Sequence, residues 1–157
     1  MTSYRPVSLL PTFSKIYERL VYNQLADYLE TNFLIDKEQH GFRSGKSVTT
    51  AAIDFVEKII DNIDKKRKTA GMFLDLTKAF DSVSHSKLIE ILKQLEVHNK
   101  SLAWFCSYIS DRLQYVEVTH TVDCQIQKHS SSYRAIRYGV PQGSILGPLL
   151  FVCYYII

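Results

Sequence analysis

The sequence predicts one α/β domain of the mixed (α+β) type. Its 157 residues are enough for one domain with a core and too few for two full-sized domains. Hydrophobic residues make up 46% of the chain and charged residues 22%, which is ordinary for a globular protein. Helical and strand-like periodicities are both present, without the regular alternation that marks a doubly wound sheet.

Two amphipathic helices are predicted in the first half of the chain. One covers 13–30 and the other covers 48–63, each with apolar residues at helical spacing. The second helix ends in the basic run 64–68 (DKKRK), which is either a phosphate contact or a solvated helix end whose cations suit the C-terminal dipole. We favour the solvated helix end. The apolar stripe of the first helix consists of Phe13, Ile16, Tyr17, Leu20, Leu25, Tyr28 and Leu29.

The rest of the chain mixes strands and helices. The apolar run 70–76 (AGMFLDL) follows a turn and predicts a buried strand. Another helix is predicted from Ser144 onward, past Gly143. Further helices are predicted at 86–95 and 100–110, and further strands at 114–119, 122–127 and 133–138.

Charge and cysteine content bound the possible partners. The formal net charge is +3, so nucleic-acid binding is permitted but not required. Cys106, Cys124 and Cys153 are widely spaced and odd in number, which indicates free thiols rather than a disulfide framework. His120 and His129 flank Cys124, but no CxxC or HxxxH pair completes a zinc ligand set, and we do not favour a zinc site.

The sequences at the two ends of the chain favour the interpretation that it is a fragment. The first residues have no signal-peptide layout. The final run 149–157 is strongly apolar but half as long as a membrane span, so no membrane partner is expected. This run stops without a cap, a turn or a polar tail. We therefore expect a chain that is cut at both ends.

The stretch 40–51 (HGFRSGKSVTTA) contains Gly-Lys-Ser, which is also the tail of a phosphate-binding P-loop. That pattern requires another glycine five positions before Gly45, where His40 stands. It also requires a buried strand upstream, where this chain has the polar, turn-like TNFLIDKEQ. The sequence therefore argues against a P-loop.

Asp75 and Asp81 are two carboxylates whose positions can be interpreted from the sequence. Asp75 ends the predicted strand, where a carboxylate is costly to bury unless it is paired or bound to a cation. A metal ligand and a surface aspartate are equally consistent with that position. Asp81 lies in a predicted turn and helix start, where it or Ser84 can accept hydrogen bonds from free backbone N–H groups.

The segment 138–148 (YGVPQGSILGP) is a tightly specified loop that leads into an apolar helix. It holds three glycines and two prolines, and glycines allow another backbone or a ligand to approach closely. Gln142 is its one long polar side chain, with a donor and an acceptor for a base or a sugar. An ordinary Gly/Pro turn is the alternative.

Four segments together resemble the reverse transcriptase domain of non-LTR (LINE-type, jockey-like) retrotransposons. Residues 4–25 (YRPVSLLPTFSKIYERLVYNQL) and 39–56 (QHGFRSGKSVTTAAIDFV) are similar to its two finger motifs. Residues 73–88 (FLDLTKAFDSVSHSKL) are similar to its first catalytic palm motif, and 138–151 (YGVPQGSILGPLLF) to the loop and helix that follow. The order and the approximate spacing are those of the family.

The resemblance implies a fold and an activity. It implies a partial right-hand polymerase, with fingers at about 1–69, an incomplete palm at about 70–157 and no thumb. In the full-length protein it implies an RNA-directed DNA polymerase that extends a DNA primer on an RNA template from deoxynucleoside triphosphates (dNTP). The chemistry is nucleotidyl transfer with two Mg²⁺ ions. A nuclear location is also implied.

Site residues follow from the same resemblance. Asp75 matches the catalytic, metal-ligating carboxylate, and the carbonyl of Leu76 helps to hold the second ion. The backbone amides of Lys78 and Ala79 face the incoming triphosphate. Phe80 matches an aromatic steric gate that rejects a 2′-hydroxyl by clash. Without the resemblance, Phe80 would be interpreted as an ordinary core phenylalanine.

The finger motifs and the glycine-rich loop supply the remaining matches. Arg5 matches the arginine that clamps the triphosphate with a rigid charged fork. Gln142, with Pro141 and Gly143 beside it, matches the loop next to the nascent base pair and template. The second finger motif adds three template or primer residues, Gly41, Phe42 and Arg43.

One departure from the family limits the expected activity. A paired-aspartate motif should follow the helix that begins near Ser144, and the chain stops at Ile157 before reaching it. Asp75 alone would poorly neutralise two Mg²⁺ ions. We therefore expect no polymerase activity from this chain alone. Two hypotheses stay open: a piece of a working RNA-directed DNA polymerase, or an inactive relic that survives as a nucleic-acid-binding or interaction module.

Overall fold

The computed structural model describes residues 7–122 and 125–156, and they divide into two compact units. The first unit combines the described residues up to Asp81 with those from Val140 onward, and the second is Ser82–Gly139. The helices are α1 (Thr12–Thr31), α2 (Val48–Asp64), α3 (His85–Gln94), α4 (Asn99–Ile109) and α5 (Gly147–Tyr155), with a short 3-10 helix at Ala79–Ser82. The strands are β1 (Leu113–Gln114), β2 (Glu117–Val122), β3 (Gln125–Ser130) and β4 (Arg134–Ala135).

The first unit contains α1, α2 and α5. Pro11 stands just before α1, where its fixed φ suits a helix start, and neither glycine nor proline interrupts the following 20 residues. Ser47 begins α2 with a capping box, because its hydroxyl accepts from the Thr50 N–H while the Thr50 side chain accepts from the Ser47 N–H. The buried apolar side chains of this unit are Leu25, Leu29, Ile35, Val140, Leu146, Leu149, Leu150, Val152 and Cys153.

The second unit contains α3, α4 and all four strands. The two helices pack against each other, and their buried apolar side chains form a core of their own. β1 pairs with β4, and β2 pairs with β3 in an antiparallel hairpin in which Val118 lies opposite His129. The buried apolar side chains of this unit are Val83, Leu88, Ile91, Leu92, Leu95, Val97, Phe105 and Ile109.

The four internal helices predicted from periodicity are confirmed to within two residues at each end. The last predicted helix begins at Gly147, three residues later than expected, because 141–144 form a turn. The predicted strands at 114–119 and 122–127 correspond to β2 and β3, shifted by about three residues towards the C-terminus. Of the strand predicted at 133–138, only β4 and a single bridge between Tyr138 and Ser84 are present.

The prediction of a buried strand at 70–76 is wrong. This segment is extended and exposed, and Met72, Phe73 and Leu74 have 84%, 82% and 86% of their surface accessible. A strand requires a hydrogen-bonded neighbour, and no described strand pairs with this one. Its nearest aromatic contact is between Phe73 and Phe55, with ring centroids 5.5 Å apart.

The apolar stripes predicted on α1 and α2 are largely exposed. Phe13, Ile16, Tyr17 and Leu20 are all more than half accessible, so the buried face of α1 is the one that carries Leu25 and Leu29. No residue of α2 is buried, although the helix is amphipathic. None of the described helices has the length and apolar character that crossing a membrane requires.

Candidate functional site

The turn between Pro141 and Gly147 is held together by Ser144. The Ser144 hydroxyl donates to the Pro141 carbonyl oxygen over 2.8 Å and accepts from the Gly147 N–H over 2.9 Å. A Cβ added to Gly147 would lie 2.5 Å from Ser144 Oγ and 2.8 Å from the Pro141 oxygen. Glycine is therefore required at 147 because the turn's own atoms fill the space of a side chain.

A buried carboxyl group on α1 completes this turn. Glu18 is 2% exposed, and its Oε2 accepts from the N–H of Ile145 over 2.7 Å and from the N–H of Leu146 over 3.3 Å. These donors lie immediately before α5, where backbone N–H groups have no partner within the helix. Glu18 belongs to none of the sequence motifs described above. The available signal was its spacing, seven residues before Leu25 and eleven before Leu29, which places it on their helical face.

Gln142 and Gly143 lie against the chain that enters α1. The Ser8 N–H donates to the Gln142 carbonyl oxygen over 2.8 Å. Gly143 has φ +93°, and a Cβ there would lie 3.3 Å from Val7 Cγ1 and 3.4 Å from the Ser8 oxygen. The glycines of this loop thus admit the protein's own backbone, which is one of the two possibilities that their spacing left open.

Phe80 lies next to this loop. The Val140 N–H donates to the Phe80 carbonyl oxygen over 2.9 Å, and Gln142 Nε2 makes a long 3.5 Å hydrogen bond to Asp81 Oδ1. The half-buried Phe80 ring packs edge-on against Phe42 at 5.7 Å and lies 4.7 Å from the Phe151 ring. The structure therefore brings together three residues that the sequence singled out at separate places, Phe42, Phe80 and Gln142.

Arg43 is engaged within its own unit. Its Nε and Nη2 donate to the two oxygens of Glu30 over 2.7 and 2.6 Å, and its Nη1 donates to the Asp36 carbonyl oxygen over 2.8 Å. The bidentate bond raises the pKa of Arg43 and lowers that of Glu30. This guanidinium therefore fastens the loop to the end of α1, a structural role that the motif resemblance did not imply.

The Gly-Lys-Ser stretch is a helix cap. No strand precedes it in the described chain, and Ser47 begins α2 as its N-cap. Lys46 Nζ donates to the Lys37 carbonyl oxygen over 2.6 Å. His40 lies against the first turns of α2, with Nδ1 2.9 Å from Thr50 Oγ1 and Nε2 3.2 Å from Asp54 Oδ2.

The residues matched to metal and triphosphate binding lie on an exposed segment. Asp75, Leu76 and Lys78 are all exposed, and Lys78 has φ +54° in the turn that opens the 3-10 helix at Ala79. Across 7–122 and 125–156, no three His, Cys, Asp or Glu side chains lie close enough to hold a metal ion. Asp75 therefore does not form a complete Mg²⁺ site with the other described carboxylates.

Some residues that the sequence singled out either lie outside the described residues or make no described contact with the 138–148 loop. Arg5 and Cys124 lie outside the described residues. His120 and His129 stack at 4.8 Å across the hairpin, and no third ligand is found with them in the described chain. Gly41 lies in the exposed turn before Phe42 and is not brought to Gln142 by any described hydrogen bond.

Comparison with known proteins decides the family. The sequence profile of the reverse transcriptase (RNA-dependent DNA polymerase) family matches residues 1–155. The chain belongs to the reverse transcriptase family. It is 37% identical over 149 residues to a probable RNA-directed DNA polymerase from transposon BS, and 34% identical over 152 residues to one from transposon X-element, both of Drosophila melanogaster. It is 36% identical over 149 residues to the RNA-directed DNA polymerase from mobile element jockey of the same species.

These matches cover 95%, 97% and 95% of this chain but only 16%, 16% and 15% of the three relatives. The resemblance to non-LTR, jockey-like reverse transcriptases is thereby confirmed. The chain is thus a stretch of reverse transcriptase domain much shorter than the polymerases that it resembles.

Proposed function

We propose that this chain supplies the fingers, at about 1–69, and part of the palm, at about 70–157, of an RNA-directed DNA polymerase of a non-LTR retrotransposon. The observation that carries the proposal is the joining of two distant motifs, by the hydrogen bond from the Val140 N–H to the Phe80 oxygen and by the contact between Gln142 and Asp81. A polymerase must hold the sugar and the base of one nucleotide simultaneously, and side chains on two segments that are hydrogen-bonded to each other can do so.

In this proposal Phe80 faces the sugar and Gln142 faces the nascent base pair. The Phe80 ring is held between Phe42 and Phe151, which gives it the fixed position that a steric gate needs. Pro141 and Gly143 shape the loop, and the Gly143 backbone lies against the entry to α1. Substrates of the complete polymerase are an RNA template, a DNA primer and dNTP, and its setting is the nucleus.

The roles that we assign to the remaining finger residues rest on different observations. Phe42 reaches this region through its contact with Phe80. Arg43 acts on template and primer through the loop that it fastens, because its guanidinium is already bonded to Glu30. We assign Arg5 to the triphosphate and Gly41 to the template surface from the motifs in which they stand.

The metal requires more ligands than the described residues bring together at Asp75. Mg²⁺ takes oxygen ligands in fixed octahedral places, and Asp75 with the Leu76 carbonyl provides only part of such a set. We assign Asp75 as a catalytic carboxylate only within a longer polymerase, with the amides of Lys78 and Ala79 facing the triphosphate. The chain alone should bind nucleic acid without extending it.

The test is binding to an RNA-template and DNA-primer duplex, with an extension assay in parallel. We expect binding that weakens steeply with salt, because counterions are released from each neutralised phosphate. Gln142→Ala should weaken binding by about tenfold, whereas Gln24→Ala, the same change on the exposed face of α1, should leave the dissociation constant unchanged. Equal effects of the two variants would reject the assigned role of Gln142.

Extension separates the two hypotheses for this chain. If a longer polypeptide that contains it extends primers and Asp75→Asn abolishes extension while Asp27→Asn does not, the chain is part of a working polymerase. The second candidate, a nucleic-acid-binding relic, is favoured by the lack of a carboxylate cluster among the described residues. It would be supported by primer–template binding that persists while Asp75→Asn changes nothing.

A further inference from the structure

The carboxyl group of Glu18 is buried at a position where packing alone does not require a polar side chain. An isolated carboxyl group is costly to bury, and an apolar side chain of similar volume would be cheaper if packing were its only role. Glu18 is nevertheless 2% exposed on the face of α1 that carries Leu25 and Leu29. Its presence there calls for a specific polar task.

That task is visible in its contacts. One oxygen, Oε2, accepts both the Ile145 and the Leu146 N–H groups, 127 and 128 residues further along the chain. The next donor, the Gly147 N–H, is taken by Ser144 Oγ, and Pro148 has no N–H to satisfy. Every backbone donor from Ile145 to Pro148 is thus accounted for, and α5 begins without a conventional cap because α1 supplies the acceptor.

We propose that Glu18 is a positioning residue that fixes the orientation of Gln142 by anchoring Ile145 and Leu146 at the start of α5. The turn transmits the constraint, because the Ser144 N–H and hydroxyl both donate to the Pro141 oxygen, over 3.2 and 2.8 Å. Gln142 lies inside that closed turn, with its carbonyl on Ser8 and its side chain towards Asp81. The link from this orientation to nucleic-acid binding rests on the proposed function.

Amide hydrogen exchange measured by NMR on the 157-residue chain tests the positioning directly and needs no activity. Glu18→Leu keeps the volume and removes the acceptor, so exchange at Ile145 and Leu146 should accelerate by about tenfold or more. Glu18→Gln keeps an oxygen acceptor without the charge, and should accelerate exchange by only about threefold. Asp27→Asn, the same chemical change on the exposed face of α1, should alter neither amide.

The amides of Leu25 and Leu29 report whether α1 itself stays folded. If Glu18→Leu exposes them, the variant has lost its structure and Glu18→Gln decides the question. Exchange at Ile145 and Leu146 equal to that of the parent chain in Glu18→Gln, or in a folded Glu18→Leu variant, overturns the proposal.

A double-mutant cycle tests whether the positioning serves binding. If Glu18 acts through Gln142, then Glu18→Leu should weaken primer–template binding in the parent chain and have no further effect in the Gln142→Ala background. A general loss of stability would instead weaken both chains equally, and that result overturns the link to Gln142. Absence of any primer–template binding by the parent chain refutes the proposed function, and the exchange rates then decide alone whether Glu18 positions the turn.

Discussion

Replacing Gly147 with alanine is the most direct test of the turn that precedes α5. The new Cβ would lie 2.5 Å from Ser144 Oγ and 2.8 Å from the Pro141 oxygen, both shorter than the 3.0 Å that real Cβ contacts respect. The serine hydroxyl can rotate away, but it then loses its bond to the Gly147 N–H, at about 1 kcal/mol for a lost cap. The Pro141 oxygen belongs to the backbone, so relieving the second contact costs a further 1–3 kcal/mol or so, as in an overpacked core.

The expected total is about 2–4 kcal/mol, a large share of the stability of an ordinary domain. Urea unfolding followed by pulse proteolysis measures it at low protein concentration. Gly71→Ala is the matched control, because its nearest atoms are Phe55 Cζ at 3.6 Å and Phe73 Cε2 at 3.7 Å, and it should change stability by less than about 0.5 kcal/mol.

A second background makes the test specific to this geometry. In a Ser144→Ala chain the 2.5 Å contact is gone, so Gly147→Ala should cost about 1 kcal/mol less there than in the parent chain. A loss below about 0.5 kcal/mol in the parent chain, or the same loss in both backgrounds, would refute the reasoning.

Three further outcomes are expected. The hydrogen bond from Arg43 holds the pKa of Glu30 below its usual value, so their bond stabilises the unit at neutral pH and is lost as acidification protonates the Glu30 carboxylate. The drop in urea midpoint on acidification should therefore be smaller in Glu30→Gln, and an equal drop contradicts this. Burial raises the pKa of the Cys153 thiol to about 12. In a variant with the other two cysteines changed to serine, Cys153 should therefore resist Ellman's reagent at pH 8 until urea unfolds the chain. Rapid labelling of the folded chain would rule out this protection. Replacing both Phe73 and Leu74 with lysine should raise the soluble fraction measured by sedimentation, because both side chains are exposed, and an unchanged fraction would show that this patch does not drive association.

Helices were predictable because their periodicity is local. The spacing over 48–63 and 100–110 needs only neighbouring residues, and both helices are present. The run 70–76 has the composition of a strand, but a strand exists only when a second one pairs with it, and composition does not identify that partner. Periodicity identified Leu25 and Leu29 of α1 but also four exposed apolar residues nearer its start, because burial depends on what packs against a helix.

The candidate site was predictable as a set of motifs and not as a set of contacts. Gln142 and Phe80 were singled out separately, and their meeting through Val140 and Asp81 could only come from the fold. Glu18 escaped notice because a glutamate inside a helix normally faces water, and because the backbone N–H groups that donate to it lie far away in sequence. Its case shows that a charged residue on the face of buried leucines deserves a search for distant backbone donors.

The separation of Glu18 from Ile145 has a consequence for synthesis on the ribosome. The two residues are 127 positions apart, which at about 5–20 residues per second is roughly 6 to 25 seconds of translation. Throughout that interval the backbone N–H groups of Ile145 and Leu146, from which the Glu18 carboxylate accepts, have not yet been synthesised. All of Ser82–Gly139 is made in the meantime, so the second unit has its complete set of contacts available before the first can close. The unit that is begun first is therefore completed last, because its final segment, from Val140 onward, is synthesised after the whole of Ser82–Gly139.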